Sequence, residues 1–257
     1  MLLFCLFPVF LGAADNWTHY TGNYTVEALV FEGGYVWCAG RNHGVIRCKI
    51  SDKSVVRYTV KDGLPTNDVI AACADGDGNK WFGFFNEGVA RFDGAVWKIY
   101  TDDDGLGHFM PNNNGLFFDG TDLWACTPGG LSKYLVAGDS WTTYDTLNSD
   151  IIQDDVRCIA KDGSGNKWIG TAAGVSKFDG VNWTDYDKSG SGIHTDTVYG
   201  IAVDGNGAVW FAGTGGALSK FDGASWSTYS AAGSFNHVYS LVIDSEGNKW
   251  LATDLGG

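Results

Sequence analysis

Five histidines and thirty acidic residues are the groups in this 257-residue chain that could move protons or hold a cation. The histidines are His19, His43, His108, His194 and His237. None lies in a G-x-S-x-G or H-E-x-x-H pattern, and no His–acid spacing repeats, so the chain carries no signature of nucleophilic or zinc-peptidase chemistry. The nearest His–acid pair is His194 with Asp196. DGDGN at residues 75–79 opens like a calcium loop, but Asn86 stands at the twelfth loop position, where a bidentate Glu is required. Similar turns with fewer acids recur at Asp162, Asp204 and Asp244, which favours a tight-turn role. Asp102, Asp103 and Asp104 form a second acidic loop, read as an exposed loop with calcium as the alternative. There is no C-x-x-C pair. The expectation is no catalytic residue, no metal and no cofactor.

The elements that must position these groups form a repeat. Trp37, Trp81, Trp124, Trp168, Trp210 and Trp250 are separated by 44, 43, 44, 42 and 40 residues. A period of this size marks an array of one supersecondary unit. In the clearest copy, residues 162–186, the Gly- and Asp-containing turns separate short runs of β-branched and aromatic residues. Its strands are expected at 156–160, 167–171, 175–178 and 182–186. A W-x-x-Y signature on the fourth strand recurs at Trp97, Trp141, Trp183 and Trp226. One four-stranded sheet cannot cover both its apolar faces, and radial packing of successive sheets does so. The fold class is therefore all-β, a β-propeller of four-stranded antiparallel blades with almost no helix.

Six repeats are visible, at about 24–60, 66–101, 112–145, 153–187, 196–230 and 236–257, the last one incomplete. The reading is a six-bladed ring or a fragment of a larger one. Trp17 and Tyr20 match an isolated fourth strand at residues 16–21, which could complete the last blade. Further domains beyond Gly257 are part of this expectation.

In a propeller, the links between blades and the turns between second and third strands share one face, around the mouth of the central channel. His108, His194 and His237 all fall in such links, which are also where the copies diverge most. Variable loops on a rigid scaffold are the usual seat of binding. The candidate ligand contacts are Asp68, His108, Asn112, His194, Asp196, Asn236 and His237.

Residues 1–14, an apolar run followed by small residues, match a secretory signal without its basic leader, leaving 15–257 as the propeller. The run is too short to be a transmembrane helix, and no other stretch could span a membrane. A secreted or periplasmic protein is expected. The net charge of −13 belongs largely to turn aspartates, and without a basic stripe nucleic acid is not an expected partner. Cys5 leaves with the signal, while Cys73, Cys126 and Cys158 occupy small-residue repeat positions as buried free thiols. Cys38 and Cys48 flank one hairpin and are either free or bridged across it.

The string GLPTNDVIAACADGDGNKWFGFFNEGVARFDG at residues 63–94, with its echoes KDGSGNKWIGTAAGVSKFDG and SEGNKWLATDLGG, resembles the two-component regulator propeller repeat. The resemblance covers nearly all of the chain after the leader. It implies a periplasmic or extracellular sensing propeller, often tuned to glycan fragments, with no shared catalytic residues. The function read from it is a non-catalytic ligand-binding or sensor module for a small molecule or carbohydrate. A lyase of the streptogramin-lyase type, which needs a paired His and acid at the mouth, is one alternative. A structural or adhesive module of a larger secreted protein is the other.

Overall fold

Short runs of β-branched and aromatic residues between Gly and Asp turns fold into strands throughout the computed structural model, which describes residues 25–108, 115–230 and 236–254. Blade 1 is β1 (Ala28–Glu32), β2 (Tyr35–Gly40), β3 (Gly44–Lys49) and β4 (Val55–Tyr58). Blade 2 is β5 (Val69–Ala74), β6 (Lys80–Phe84), β7 (Gly88–Phe92) and β8 (Trp97–Tyr100). Blade 3 is β9 (Leu116–Phe118), β10 (Leu123–Thr127), β11 (Gly130–Leu135) and β12 (Ser140–Tyr144). Blade 4 is β13 (Val156–Lys161), β14 (Lys167–Thr171), β15 (Val175–Phe178) and β16 (Trp183–Tyr186). Blade 5 is β17 (Val198–Val203), β18 (Val209–Gly213), β19 (Ala217–Phe221) and β20 (Trp226–Ser230). In the sixth blade the described residues supply β21 (Val238–Ile243) and β22 (Lys249–Thr253). Each sheet is an antiparallel meander in sequence order. The only helical segments among the described residues are the 3₁₀ turns Val60–Asp62 and Asp102–Asp104. Residues 1–14 and the expected strand at 16–21 lie outside the described residues.

The repeated tryptophan is held by the repeated aspartate. Trp81 Nε1 donates to Asp75 Oδ2 at 2.8 Å, and Trp124, Trp168, Trp210 and Trp250 donate in the same way to Asp119, Asp162, Asp204 and Asp244 at 3.1, 2.9, 2.8 and 2.8 Å. The other carboxylate oxygen closes the turn: Asp162 Oδ1 accepts from the backbone N–H groups of Ser164 and Asn166. Both oxygens of Asp75 are engaged likewise, by Asp77, Asn79 and Trp81, so the calcium-like string is a turn clamp. Burial alone would raise the Asp119 pKa. The N–H groups of Asp122 and Thr121, the Lys167 ammonium and the Trp124 indole outweigh burial and hold it down to about 2. The acidic loop at 102–104 is also a local cap, with Asp104 accepting from Thr101 N.

The fourth-strand tyrosine, the last residue of W-x-x-Y and, as Tyr58, of V-V-R-Y in blade 1, staples each of blades 1 to 4 to the next. Tyr186 stacks on Trp168 of its own blade, at 5.6 Å and 25°, and packs against Phe221 and Trp226 of blade 5 at 5.7 and 5.4 Å. Tyr58 does the same toward Phe92 and Trp97, and Tyr144 toward Phe178 and Trp183. Such pairs contribute about 0.5–1.5 kcal/mol each beyond the area they bury. Glycine at the start of the third strand allows this close approach. At Gly88 (φ +79°) and Gly174 (φ +136°) a Cβ would lie 2.1 and 2.5 Å from the carbonyl oxygens of Tyr100 and Tyr186.

The Cys38–Cys48 bridge does not form. The register sets Cys38 opposite Ile46 and Cys48 opposite Val36, so the two residues are offset by two along the strands, and neither is in a disulfide. Burial pushes Cys73 up to about 11 and Cys158 up to about 12, which keeps these thiols protonated and unreactive.

Candidate functional site at the channel mouth

First strands of successive blades pack on one another, β1 on β5, β5 on β9, β13 on β17 and β17 on β21, so they form the inner layer, the position that faces the axis of a propeller. The residue preceding a first strand is tied to the turn that follows the second strand. Phe85 N donates to Asp68 O, Ala172 N to Asp155 O, Thr214 N to Thr197 O and Asp254 N to His237 O, at 3.0 to 3.4 Å. Links and second turns therefore share one rim.

Two of the link residues singled out by sequence, Asp196 and His194, engage backbone groups on this rim with their side chains. Asp196 Oδ1 accepts from Lys188 N at 2.6 Å, as Asp154 does from Thr146 N at 2.7 Å in the preceding link. His194 N donates to Ser219 Oγ, and its Nε2 lies 3.2 Å from Gly215 O. Gly215 N donates to Asn236 O at 2.8 Å, and Thr214 bridges to His237, so His194, Asn236 and His237 gather around the second turn of blade 5. His108 is elsewhere on the rim, exposed beside Gly129 in the second turn of blade 3. Asp68 Oδ1 is buried with no hydrogen-bond partner among the described residues. Asn112 lies outside the described residues.

One His–acid pair stands at the mouth. His237 Nδ1 is 2.9 Å from Asp254 Oδ2, while Asp254 Oδ1 accepts from the backbone N–H groups of Asn236 and His237 at 2.9 and 3.1 Å. The His237 contact first, and then these N–H groups, bring the Asp254 carboxyl down to about 2 against an opposing desolvation.

Four first strands share a feature that motif reading passes over. The pairing skips one residue between Val69 and Ala71, Val156 and Cys158, Val198 and Gly200, and Val238 and Ser240. The skipped residues are Ile70, Arg157, Tyr199 and Tyr239. A bulge of this kind re-aims a side chain out of the regular alternation. Ile70 is 2% exposed, whereas Arg157, Tyr199 and Tyr239 are half-buried and belong to none of the apolar clusters between blades. They meet one another and His237. The Arg157 guanidinium lies 5.0 Å from the Tyr199 ring centroid, Tyr199 lies 5.5 Å from Tyr239, and Tyr239 stacks on His237 at 5.7 Å and 15°. Asp155 accepts from Arg157 Nη2 at 2.6 Å. Of this cluster only His237 was a sequence candidate. The legible signal is a small residue two places after the valine, in V-I-A, V-R-C, V-Y-G and V-Y-S, which leaves the middle residue to vary.

This geometry defines the chain as a β-propeller whose copies differ most at the channel mouth. No protein-family model matches the chain, and no curated protein does. Among solved structures it is similar to the extracellular domain of a protein described as a hybrid two component system from B. thetaiotaomicron. That likeness has 23% identity and a TM-score of 0.76, over 92% of this chain and 32% of that one, so the chain spans about a third of the length of that extracellular domain. It is also similar to the extracellular domain of a one component system from the same organism, at 16% identity and a TM-score of 0.54, over 89% of this chain and 39% of the other. A streptogramin B lyase matches at 14% identity and a TM-score of 0.67, over 91% and 78% of the two chains. Identities at this level establish the shared fold, and the first two neighbours accord with the resemblance carried by the repeat motifs. Among the described residues no helix is long and apolar enough to cross a membrane.

Proposed function

We propose that the chain is a non-catalytic, extracellular or periplasmic recognition module that senses a small molecule or carbohydrate at its channel mouth. The observation that carries this reading is the location of its departures from the repeat. Hairpin turns and blade interfaces repeat copy after copy, while links and bulged channel residues change from blade to blade. Variable loops and side chains on a rigid scaffold are the usual recognition sites. The extracellular neighbours support the compartment, and the leader-like residues 1–14 support export.

Catalysis is the weaker reading because His194 and Asp196 are engaged by backbone groups, and a general base must reach its substrate. The His237–Asp254 pair is the one observation that favours a lyase. Thermal-shift and calorimetric titration of the full chain against an oligosaccharide panel tests the proposal, with saturable binding of one class as the expected outcome. In parallel, incubation with streptogramin B should leave the antibiotic intact by mass spectrometry; its consumption would replace the sensor reading with the enzymatic one.

A further inference from the structure

Resting on the reading of the propeller as a recognition module, we infer that its ligand surface is the channel wall formed by Arg157, Tyr199, Tyr239 and His237. The wall takes an uncharged, ring-shaped, polyhydroxylated ligand, a neutral sugar.

Three adjacent innermost strands, β13, β17 and β21, each present a bulged residue to this wall. A bulge interrupts the ladder, and on these strands the residue that the pairing skips is Arg157, Tyr199 or Tyr239. The rings of Tyr199 and Tyr239 meet at 45° with centroids 5.5 Å apart, His237 stacks on Tyr239 at 15°, and the His237 and Tyr199 centroids lie 6.4 Å apart, so the three rings form one compact, half-buried aromatic cluster. Tyrosine combines an apolar face with a hydroxyl at the ring edge, which suits a ligand that is apolar across its ring and polar around its rim.

Charge narrows the class. Each group on the wall able to carry positive charge has a carboxylate in contact: Arg157 has Asp155 at 2.6 Å, and His237 has Asp254 at 2.9 Å. Whatever the state of the imidazole, these four groups sum to zero or less, in a chain of net charge −13. An anionic ligand would meet no excess positive charge here. A cationic one would have to compete with partners already seated on both carboxylates, Asp254 accepting three hydrogen bonds. Neutral, hydrogen-bonding rings meet neither obstacle.

The test titrates the full chain by calorimetry with matched neutral and uronate-bearing oligosaccharides, at low and high salt, and repeats the titration on Tyr199→Ala, Tyr239→Ala and Thr228→Ala. Thr228 is exposed on the outer strand β20 and serves as the control. Circular dichroism and melting of each variant confirm that it folds. The expected result is salt-independent binding of a neutral oligosaccharide, weakened about tenfold or more by either tyrosine substitution and unchanged by Thr228→Ala. Binding that survives both tyrosine substitutions overturns this site while leaving the recognition module standing. Preferential, salt-sensitive binding of the uronates overturns the neutral class. If no oligosaccharide binds, this inference falls, and a thermal-shift screen of non-carbohydrate small molecules decides separately whether the recognition module stands.

Discussion

The hairpin turns on one face and the mouth on the other are built from the same residue types, yet they use them differently. On the turn face, Asp75, Asp119, Asp162, Asp204 and Asp244 each seat a tryptophan indole and close a turn, five copies of one solution. Around the mouth, Asp68, Asp155, Asp196 and Asp254 each have a different environment: an orphaned oxygen, an arginine, a backbone N–H and a histidine. Where geometry repeats, a carboxylate serves the scaffold. Where it varies from blade to blade, the carboxylates hold different neighbours in place, so the surface they support differs from copy to copy.

The largest test of this contrast compares two tryptophans. Trp168 is 1% exposed and wedged between blades, so Trp168→Ala should cost about 3–5 kcal/mol in denaturant unfolding. Trp250 has the same aspartate clamp but is 65% exposed, and Trp250→Ala should cost about 1 kcal/mol or less. Equal losses would show that the clamp, and not burial between blades, is what the repeat preserves.

Asp162→Ala should come next, at about 2 kcal/mol, because it strands the buried Trp168 indole N–H and opens its turn. The same clamps set the acid response. Asp119 has its folded pKa lowered from 3.8 to about 2, so its stabilisation is complete above 3.8 and is lost as pH falls through about 2. Asp244, the clamp of Trp250, shifts to about 2 as well, as does Asp222, which closes the turn before β20. Melting temperature should therefore hold down to about pH 4 and fall steeply toward pH 2, and a flat profile would remove the clamps from the stability account.

Gly174→Ala should lower stability by more than about 1 kcal/mol, since the new Cβ meets the Tyr186 carbonyl in a left-handed backbone. The smallest effect belongs to the mouth. Asp196→Ala loses one exposed cap and should cost under about 1 kcal/mol by thermal melt, with ligand affinity unchanged. A large loss there would place the link acids with the scaffold and blur the contrast between the two faces.

The hairpins of blade 4 were legible almost residue by residue: strands expected at 156–160, 167–171 and 175–178 are β13, β14 and β15, because turn chemistry and β-branched runs are local properties. The aspartate was legible as a turn residue but not as the partner of the indole six positions on, a contact made only when the hairpin folds back. At the mouth, the divergence of the links is read from the sequence, while the engagement of Asp196 by Lys188 N and of His194 by Gly215 O appears only in the fold. The residues that do meet across blades, Arg157, Tyr199 and Tyr239, read as ordinary strand positions.

The tryptophan period, the Asp–Gly turns and the W-x-x-Y strands thus determined the blade and its repetition within the sequence itself, since each is fixed by neighbours a few residues apart. Cysteine pairing, the bulges and the channel wall were decided only in three dimensions. Register alone offset Cys38 from Cys48. Radial packing alone brought Tyr199, Tyr239 and Arg157, some forty residues apart in sequence, onto one surface, because each repeat contributes a single innermost strand and the wall exists only where those strands meet.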